Sequence, residues 1–134
     1  DPILIIKTAW GGKSLAEDFR PPSAGGTVGQ SYQDMIQKVK EVTQNLATEF
    51  PQIGETDFEI SGFGWFQGWN DGASEEFLNS YESNLYHLVD DIRKDLNVPN
   101  LPVIVARWIR TNKRFVGTKH AEYSGCSSAK CRLQ

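Results

Sequence analysis

The stretch that decides the fold is residues 58–71, which read Phe58-Glu59-Ile60-Ser61-Gly62-Phe63-Gly64-Trp65-Phe66-Gln67-Gly68-Trp69-Asn70-Asp71. Its first half has the character of a strand, and a strong helical pattern begins directly after its second half. In open α/β folds such a loop lies at the carboxyl edge of a sheet, where binding sites form. A Gly-x-Asn-Asp turn there presents the amide of Asn70 to a ligand, although Gly, Asn and Asp are also common in plain polar turns.

The rest of the chain alternates strand and helix patterns around this stretch. We predict strands over Ile3–Ala9, Phe58–Phe66 and Leu101–Trp108, and a helix over Ser31–Phe50. A second helix follows Ser74, with a buried stripe at helical spacing: Phe77, Tyr81, Leu85, Leu88, Ile92 and Leu96. Strands that alternate with helices of this length predict a parallel sheet with right-handed crossovers. The fold class is therefore α/β.

The starts of both helices carry capping patterns. Ser31 and Asp34 have the spacing of a capping box. Ser74 precedes Glu75 and Glu76, and acidic side chains are favoured at the positive end of the helix dipole. We therefore expect side-chain caps at both positions.

Size and composition narrow the class of protein. The chain has 134 residues, 39% hydrophobic and 23% charged, which suits one globular domain. We expect no membrane segment, since no apolar run approaches the required length. Residues 1–106 hold 7 Lys or Arg against 16 Asp or Glu, whereas residues 107–134 hold 7 against Glu122 alone. The acidic body, and a basic end without interleaved aromatic residues, argue against nucleic-acid binding.

The end of the chain departs from the alternating pattern. We divide the sequence into a domain over residues 1–110 and a basic, irregular tail over residues 111–134. The tail holds Cys126 and Cys131, for which a local disulfide and two free thiols both remain open. Their spacing is not that of a metal site, and nothing in the sequence implies a metal or an organic cofactor.

The loop after the first predicted strand reads Lys7-Thr8-Ala9-Trp10-Gly11-Gly12-Lys13-Ser14. Gly12-Lys13-Ser14 invites a phosphate-loop interpretation, but Lys7 stands where that motif needs glycine, and no helix follows at once. An oxyanion hole suits the loop better, since a glycine can present its backbone amide without a side chain in the way. Gly12 and Asn70 would then donate from the ends of two successive parallel strands.

Three runs together resemble the sialate O-acetylesterase domain, a branch of the SGNH hydrolases related to acetyl xylan esterases. They are residues 5–15, residues 18–23 and residues 64–71, and the resemblance covers approximately residues 2–105. It implies a three-layer α/β/α, flavodoxin-like fold that is incomplete at the N-terminus. It also implies serine-type removal of acetyl groups from O-acetylated carbohydrate, and favours a secreted or periplasmic location for the parent protein.

The resemblance also implies roles for single residues. Gly12 and Asn70 complete the oxyanion hole, and Gln67 lies beside the substrate pocket. The nucleophilic serine belongs to an earlier block and lies outside this chain. His120 occupies the region of the general base, but it lacks the family's aspartate three residues earlier, and a solvated loop histidine is the alternative.

The remaining residues of the two loops have structural alternatives. Lys13, Ser14 and Asp71 are candidates for substrate binding, but Ser14 is better explained as a cap of its loop, because no histidine is evidently placed to activate it. Asp71 would orient either the loop or a substrate hydroxyl. Trp10 and Trp69 are candidates for stacking on sugar rings, although aromatic rings also fill cores.

Two further expectations concern the chain as a whole. The competing function is a non-catalytic carbohydrate-binding or interaction module on the same scaffold. Asp1-Pro2 leads straight into an apolar strand pattern, from which we expect a cut through a longer protein. An exposed sheet edge would then favour self-association.

Overall fold

The computed structural model describes residues 3–52 and 57–106. Its sheet has two parallel strands, β1 (Phe63–Trp65) and β2 (Val103–Val105), in the register Phe63 to Val103 and Trp65 to Val105. The predicted α/β class and the parallel pairing are confirmed. Both strands are shorter than the predicted ranges, and a three-layer fold is not formed within the described residues.

The predicted first strand, Ile3–Ala9, is wrong in this structure. Residues 3–9 form no ladder, and the side chains of Ile3 and Ile5 are 88% and 83% exposed. An apolar run sets only the propensity for a strand, because a strand is stabilised by hydrogen bonds to a neighbour. Within the described ranges, no strand pairs with this segment.

The first predicted helix forms as two pieces, α1 (Gln30–Gln44) and α2 (Leu46–Glu49). They meet at Asn45, whose φ of −109° leaves the helical region and whose Nδ2 donates to the carbonyl of Glu41 at 2.9 Å. Asparagine competes with helix geometry through such bonds to the backbone. Four apolar side chains on α1 are buried: Tyr32, Met35, Ile36 and Val42.

The predicted capping box of α1 is wrong. The helix begins after Gly29, which provides no side-chain cap, and Ser31 is buried inside the first turn. Asp34 instead accepts a hydrogen bond from Gln30 Nε2 at 2.8 Å. Glycine is required at the start because a Cβ on Gly29 would overlap the backbone carbonyl of Asp18. Close packing of the preceding turn therefore decides this helix start.

The third helix, α3 (Glu75–Asp95), follows the sequence prediction closely. The hydroxyl of Ser74 accepts from the amide of Phe77 at 3.4 Å, and acidic residues occupy the first turn. Arg93 and Lys94 lie in the last turn, where positive charge suits the helix dipole. No helix in the described residues has the length and hydropathy needed to cross a membrane.

One face of the sheet packs on the hydrophobic core. Trp65 and Leu101 are buried with side chains from α1, α3 and the loop after Trp10; these are Leu15, Phe19, Tyr32, Met35, Ile36, Leu88 and Ile92. In contrast, Ile104 on β2 is 77% exposed and Phe66 after β1 is 68% exposed. Parallel sheets are normally covered on both faces, so this sheet presents an unusual apolar surface.

Candidate functional site

The two loops singled out in the sequence meet at the end of β1. Asn70 Nδ2 donates a hydrogen bond of 2.5 Å to the carbonyl oxygen of Gly12, across 58 residues of sequence. Gly12 has a φ of +72°, a left-handed conformation that glycine adopts without strain. The structure thus brings together the two residues expected to line an oxyanion hole, with the Asn70 amide directed at the Gly12 carbonyl.

Asp71 ties these loops to each other. Its side chain is fully buried, and it accepts from the amide of Leu15 at 2.8 and 3.1 Å and from the amide of Ala16 at 2.9 Å. Ionised carboxylates form strong hydrogen bonds with backbone amides. Of the two roles considered for Asp71, its burial and contacts support orienting the loop.

Gln67 lies between the loops and is half-buried. Its Nε2 donates to the carbonyl of Lys13 at 2.9 Å and to Asp71 Oδ2 at 2.6 Å. Exchanging the amide oxygen and nitrogen would place an acceptor against two acceptors, so these partners define the orientation. In the part of the chain that the structure describes, Gln67 Oε1 is buried and accepts no hydrogen bond. Because it is buried, this oxygen does not lie on the accessible surface of the two loops.

Ser14 and Lys13 are held by Asp18. Asp18 Oδ2 accepts from the Ser14 amide at 2.9 Å and from its hydroxyl at 3.2 Å, while Asp18 Oδ1 pairs with Lys13 Nζ at 2.9 Å. The Lys13 hydrogen bond, followed by that of the Ser14 amide, lowers the pKa of Asp18 below its ordinary value. Ser14 Oγ also accepts from the amide of Glu17 at 3.2 Å. These contacts favour the expected structural role of Ser14 as a cap.

The aromatic side chains divide into buried and exposed members. Phe19 packs edge-on against Trp65, with ring centroids 5.2 Å apart, and against Trp10 at 5.9 Å. Trp10 and Trp69 remain 44% and 58% exposed. Both tryptophans proposed for stacking therefore have accessible surface beside the Gly12–Asn70 contact.

Tyr81 supports the site but was assigned only to the core by its helical spacing. Its hydroxyl donates to the carbonyl of Gln67 at 2.8 Å and accepts from Trp65 Nε1 at 3.1 Å. Burial raises the pKa of Tyr81 above its ordinary value. A Cβ on Gly68 would contact the same hydroxyl, and its φ of +150° also favours glycine. Periodicity indicates that Tyr81 is buried, but it carries no signal for these partners.

His87 contacts a serine in another part of the structure. Its Nδ1 lies 2.8 Å from Ser23 Oγ, and the Ser23 amide donates to Asp91 Oδ2 at 2.7 Å. A nucleophile needs donors for the oxyanion, but the following amides of Ala24 and Gly25 are already bonded within their turn. The contact is better explained as a link between the loop and α3. His120 lies outside the described residues.

The site and fold define an α/β protein with two loops joined at the end of a parallel strand. Comparison with known proteins places it further: the chain belongs to the carbohydrate esterase family of sialic acid-specific acetylesterases, whose model matches residues 1–131. This confirms the resemblance found in the sequence.

A protein of Arabidopsis thaliana named as a probable carbohydrate esterase is a distant relative. It is 26% identical over 84 residues, which are 63% of this chain and 31% of the relative. The chain thus spans about a third of the length of that relative. No solved structure gives a significant match.

Proposed function

We propose that this chain carries the oxyanion-hole part of a serine-type carbohydrate O-acetyl esterase, with the nucleophile outside the chain. The observation that supports it best is the contact of Asn70 Nδ2 with the Gly12 carbonyl. It places a neutral side-chain donor beside a glycine, which has no side chain of its own to cover its backbone amide. Family membership supports the reaction class and an O-acetylated carbohydrate as the substrate.

In this proposal the acetyl ester binds with its carbonyl oxygen toward Gly12 and Asn70. Attack by a serine makes that oxygen negative in the tetrahedral intermediate, and the two N–H groups stabilise the developing charge. The Asn70 amide has a second hydrogen besides the one bonded to Gly12. Asp71 holds both loops in place through the amides of Leu15 and Ala16, so the donors need little rearrangement.

Proton transfer in this scheme is assigned to His120, as the resemblance implies. It would take the proton from the serine hydroxyl and give it to the sugar oxygen as the bond between that oxygen and the acetyl carbon breaks. In the second step it would take a proton from the water that attacks the acetyl-serine ester and return it to the serine oxygen, which releases acetate. Loss of hydrolysis in a His120→Ala variant of an active form, with retained substrate binding, is the expected result. Unchanged hydrolysis would exclude His120 as the base.

Sugar contacts are assigned to the exposed side of the two loops. Trp69 and Trp10 present aromatic surface to a sugar ring. Gln67, which the resemblance implies beside the substrate pocket, supports this surface by donating to the carbonyl of Lys13. Lys13, Ser14 and Asp71 shape the pocket from beneath. Unchanged binding of an acetylated sugar by a Trp69→Ala variant would argue against this assignment.

The central experiment compares hydrolysis of p-nitrophenyl acetate by this chain and by a form extended upstream. Activity only in the extended form, reduced roughly 100- to 1,000-fold by Asn70→Ala, is expected for an oxyanion donor. Asn79→Ala is the matched control, because Asn79 is exposed on α3. Activity in the short chain that is lost in Ser14→Ala would make Ser14 the nucleophile. No activity in either form, together with sugar binding, would favour a non-catalytic binding module.

A further inference from the structure

We propose that the groove between residues 7–10 and α1 binds a second, non-acetylated sugar unit, so that the ligand is an oligosaccharide. The groove has a volume of about 450 Å³ and is lined by residues of both segments; they are Lys7, Thr8, Ala9, Trp10, Asp34, Gln37, Lys38 and Glu41. This inference rests on the carbohydrate part of the proposed function and extends it to the length of the ligand.

Trp10 provides the apolar surface of this groove. Its ring packs on Phe19 at 5.9 Å, and Phe19 in turn packs on the buried Trp65. The side chain is therefore anchored to the core while 44% of it stays exposed. An anchored, exposed aromatic side chain offers contact area at a low cost in conformational entropy, and sugar rings have apolar faces that fit it.

The opposite wall supplies hydrogen-bonding groups from one side of α1. Gln37 Nε2 donates to Glu41 Oε1 at 2.7 Å, which leaves the Gln37 oxygen as an acceptor of defined orientation. Asp34 Oδ1 accepts from Gln30, and Lys38 adds a cationic donor. A mixture of donors and acceptors opposite an aromatic ring matches a ligand rich in hydroxyl groups better than an apolar ligand or a simple anion.

The position of the groove connects it with the proposed ester site. Trp10 is two residues before Gly12, whose carbonyl contacts Asn70. Two residues of chain span at most about 7 Å, and less here because Gly11 and Gly12 form a turn, so Trp10 is near enough to Gly12 to contact a neighbouring sugar unit. A glycan with its acetylated unit at Gly12 and Asn70 would therefore extend over Trp10 toward α1.

The test is a titration of the purified chain with oligosaccharides that carry no acetyl group: xylotetraose, cellotetraose and chitotetraose, each beside its monosaccharide. Affinity is measured for every variant by isothermal titration calorimetry, and the place of binding is followed in the unaltered chain by the NMR signal of the Trp10 indole N–H. We expect saturable shifts with at least one tetrasaccharide and weaker binding of its monosaccharide. Trp10→Ala should abolish binding, and Gln37→Ala should weaken it roughly 2- to 10-fold, the effect of one hydrogen bond.

Tyr86→Ala is the matched control, since Tyr86 is also 44% exposed but lies on α3. It should bind as the unaltered chain does. No shift of the Trp10 signal with any tetrasaccharide, or binding by the Trp10→Ala variant as tight as that of the unaltered chain, would overturn the inference. Because the probes contain no ester, binding here does not depend on hydrolysis. If an extended form hydrolyses p-nitrophenyl acetate but no tetrasaccharide binds in the groove, the groove inference is wrong and the esterase proposal stands. If a tetrasaccharide binds but neither the given chain nor an extended form hydrolyses the ester, the esterase proposal is wrong and the groove inference stands.

Discussion

The carboxylate of Asp71 accepts hydrogen bonds from the amide of Leu15, 56 residues earlier in the chain, at 2.8 and 3.1 Å. This contact joins the Gly-x-Asn-Asp loop of residues 68–71 to the loop of residues 10–15, which contains Gly11 and Gly12. It leaves Asn70, the preceding residue, against the Gly12 carbonyl. The arrangement of the proposed oxyanion hole therefore depends on a buried aspartate that does not itself face the ligand.

Replacing Asp71 with asparagine should destabilise the fold. Asp71 Oδ1 accepts from the amide of Ala16, and Asp71 Oδ2 accepts from Gln67 Nε2. An amide nitrogen in place of either oxygen would therefore oppose one of these donors and break that hydrogen bond. We expect the free energy of unfolding to fall by roughly 2–4 kcal/mol, measured by urea denaturation. Asp90→Asn, at an exposed position of α3, should change it little. Equal effects of the two variants would contradict the role given to Asp71.

Alanine substitutions at Gly12 and at its neighbour Gly11 test whether the backbone conformation of Gly12 is strained for a residue with a side chain. A Cβ at either position meets no atom of the described residues within 4 Å, and of these two glycines Gly12 alone has a positive φ. Gly12→Ala should therefore lower the free energy of unfolding by about 1–2 kcal/mol through strain alone, and Gly11→Ala should lower it less. If thermal or urea unfolding shows no difference between them, the loop relaxes out of the left-handed conformation.

Low pH should destabilise the loop of residues 10–15, because protonation of Asp18 weakens its contacts with Lys13 and Ser14. Since Lys13 and the Ser14 amide lower the pKa of Asp18, its ionised form stabilises the fold above the unfolded value of about 3.9. This stabilisation is lost as the pH falls through the lower, folded pKa. The stability gap between the unaltered chain and Asp18→Asn should thus narrow below about pH 4. Glu17→Gln, at an exposed neighbouring position, is the control. Its difference in free energy of unfolding from the unaltered chain should stay the same as the pH falls through this range, measured by urea denaturation.

Alkaline pH should act on Tyr32. Burial, and then the hydrogen bond to Asp95 at 2.6 Å, raise the pKa of Tyr32 far above its ordinary value. Above about pH 10 the unfolded tyrosine loses its proton while the folded one keeps it, so stability falls. The slope from this group is at most about 1.4 kcal/mol per pH unit. Tyr32→Phe should make the decline shallower, whereas Tyr86→Phe, at an exposed position, should leave the slope unchanged.

The open face of the sheet should promote self-association. Ile104 is 77% exposed on β2, and exposed apolar strands favour contact between chains. We expect the purified chain to elute above its monomer mass in light-scattering chromatography, and Ile104→Lys to shift it toward the monomer. Leu78→Lys, on α3, is the control for added charge. Monomeric elution of the unaltered chain with a sharp, cooperative melt would argue against this surface as a contact.

Elements built from local interactions were predicted well. The cap at Ser74 depends on a contact three residues along the chain, so spacing alone indicates it. The predicted stripe of α3 is buried at Leu88 and Ile92 and only partly buried at Tyr81, Leu85 and Leu96. Ile3–Ala9 shows the opposite case, because its apolar pattern cannot supply a strand partner. The start of α1 was missed for a related reason: it depends on how closely Gly29 packs against Asp18, and no local capping pattern reports that.

The sequence by itself determined the α/β class, the parallel pairing and, through three runs of residues, the esterase family. It also directed attention to Gly12 and Asn70 through the chemistry of their residue types. Only the tertiary structure decided that Asn70 bonds to the Gly12 carbonyl and that Asp71 is buried beneath the loops. It also decided that Gln67 Oε1 is buried with no hydrogen-bond partner among the described residues. The physical reason is that short-range patterns record local hydrogen bonds and burial, whereas these contacts join side chains to backbone groups more than fifty residues away.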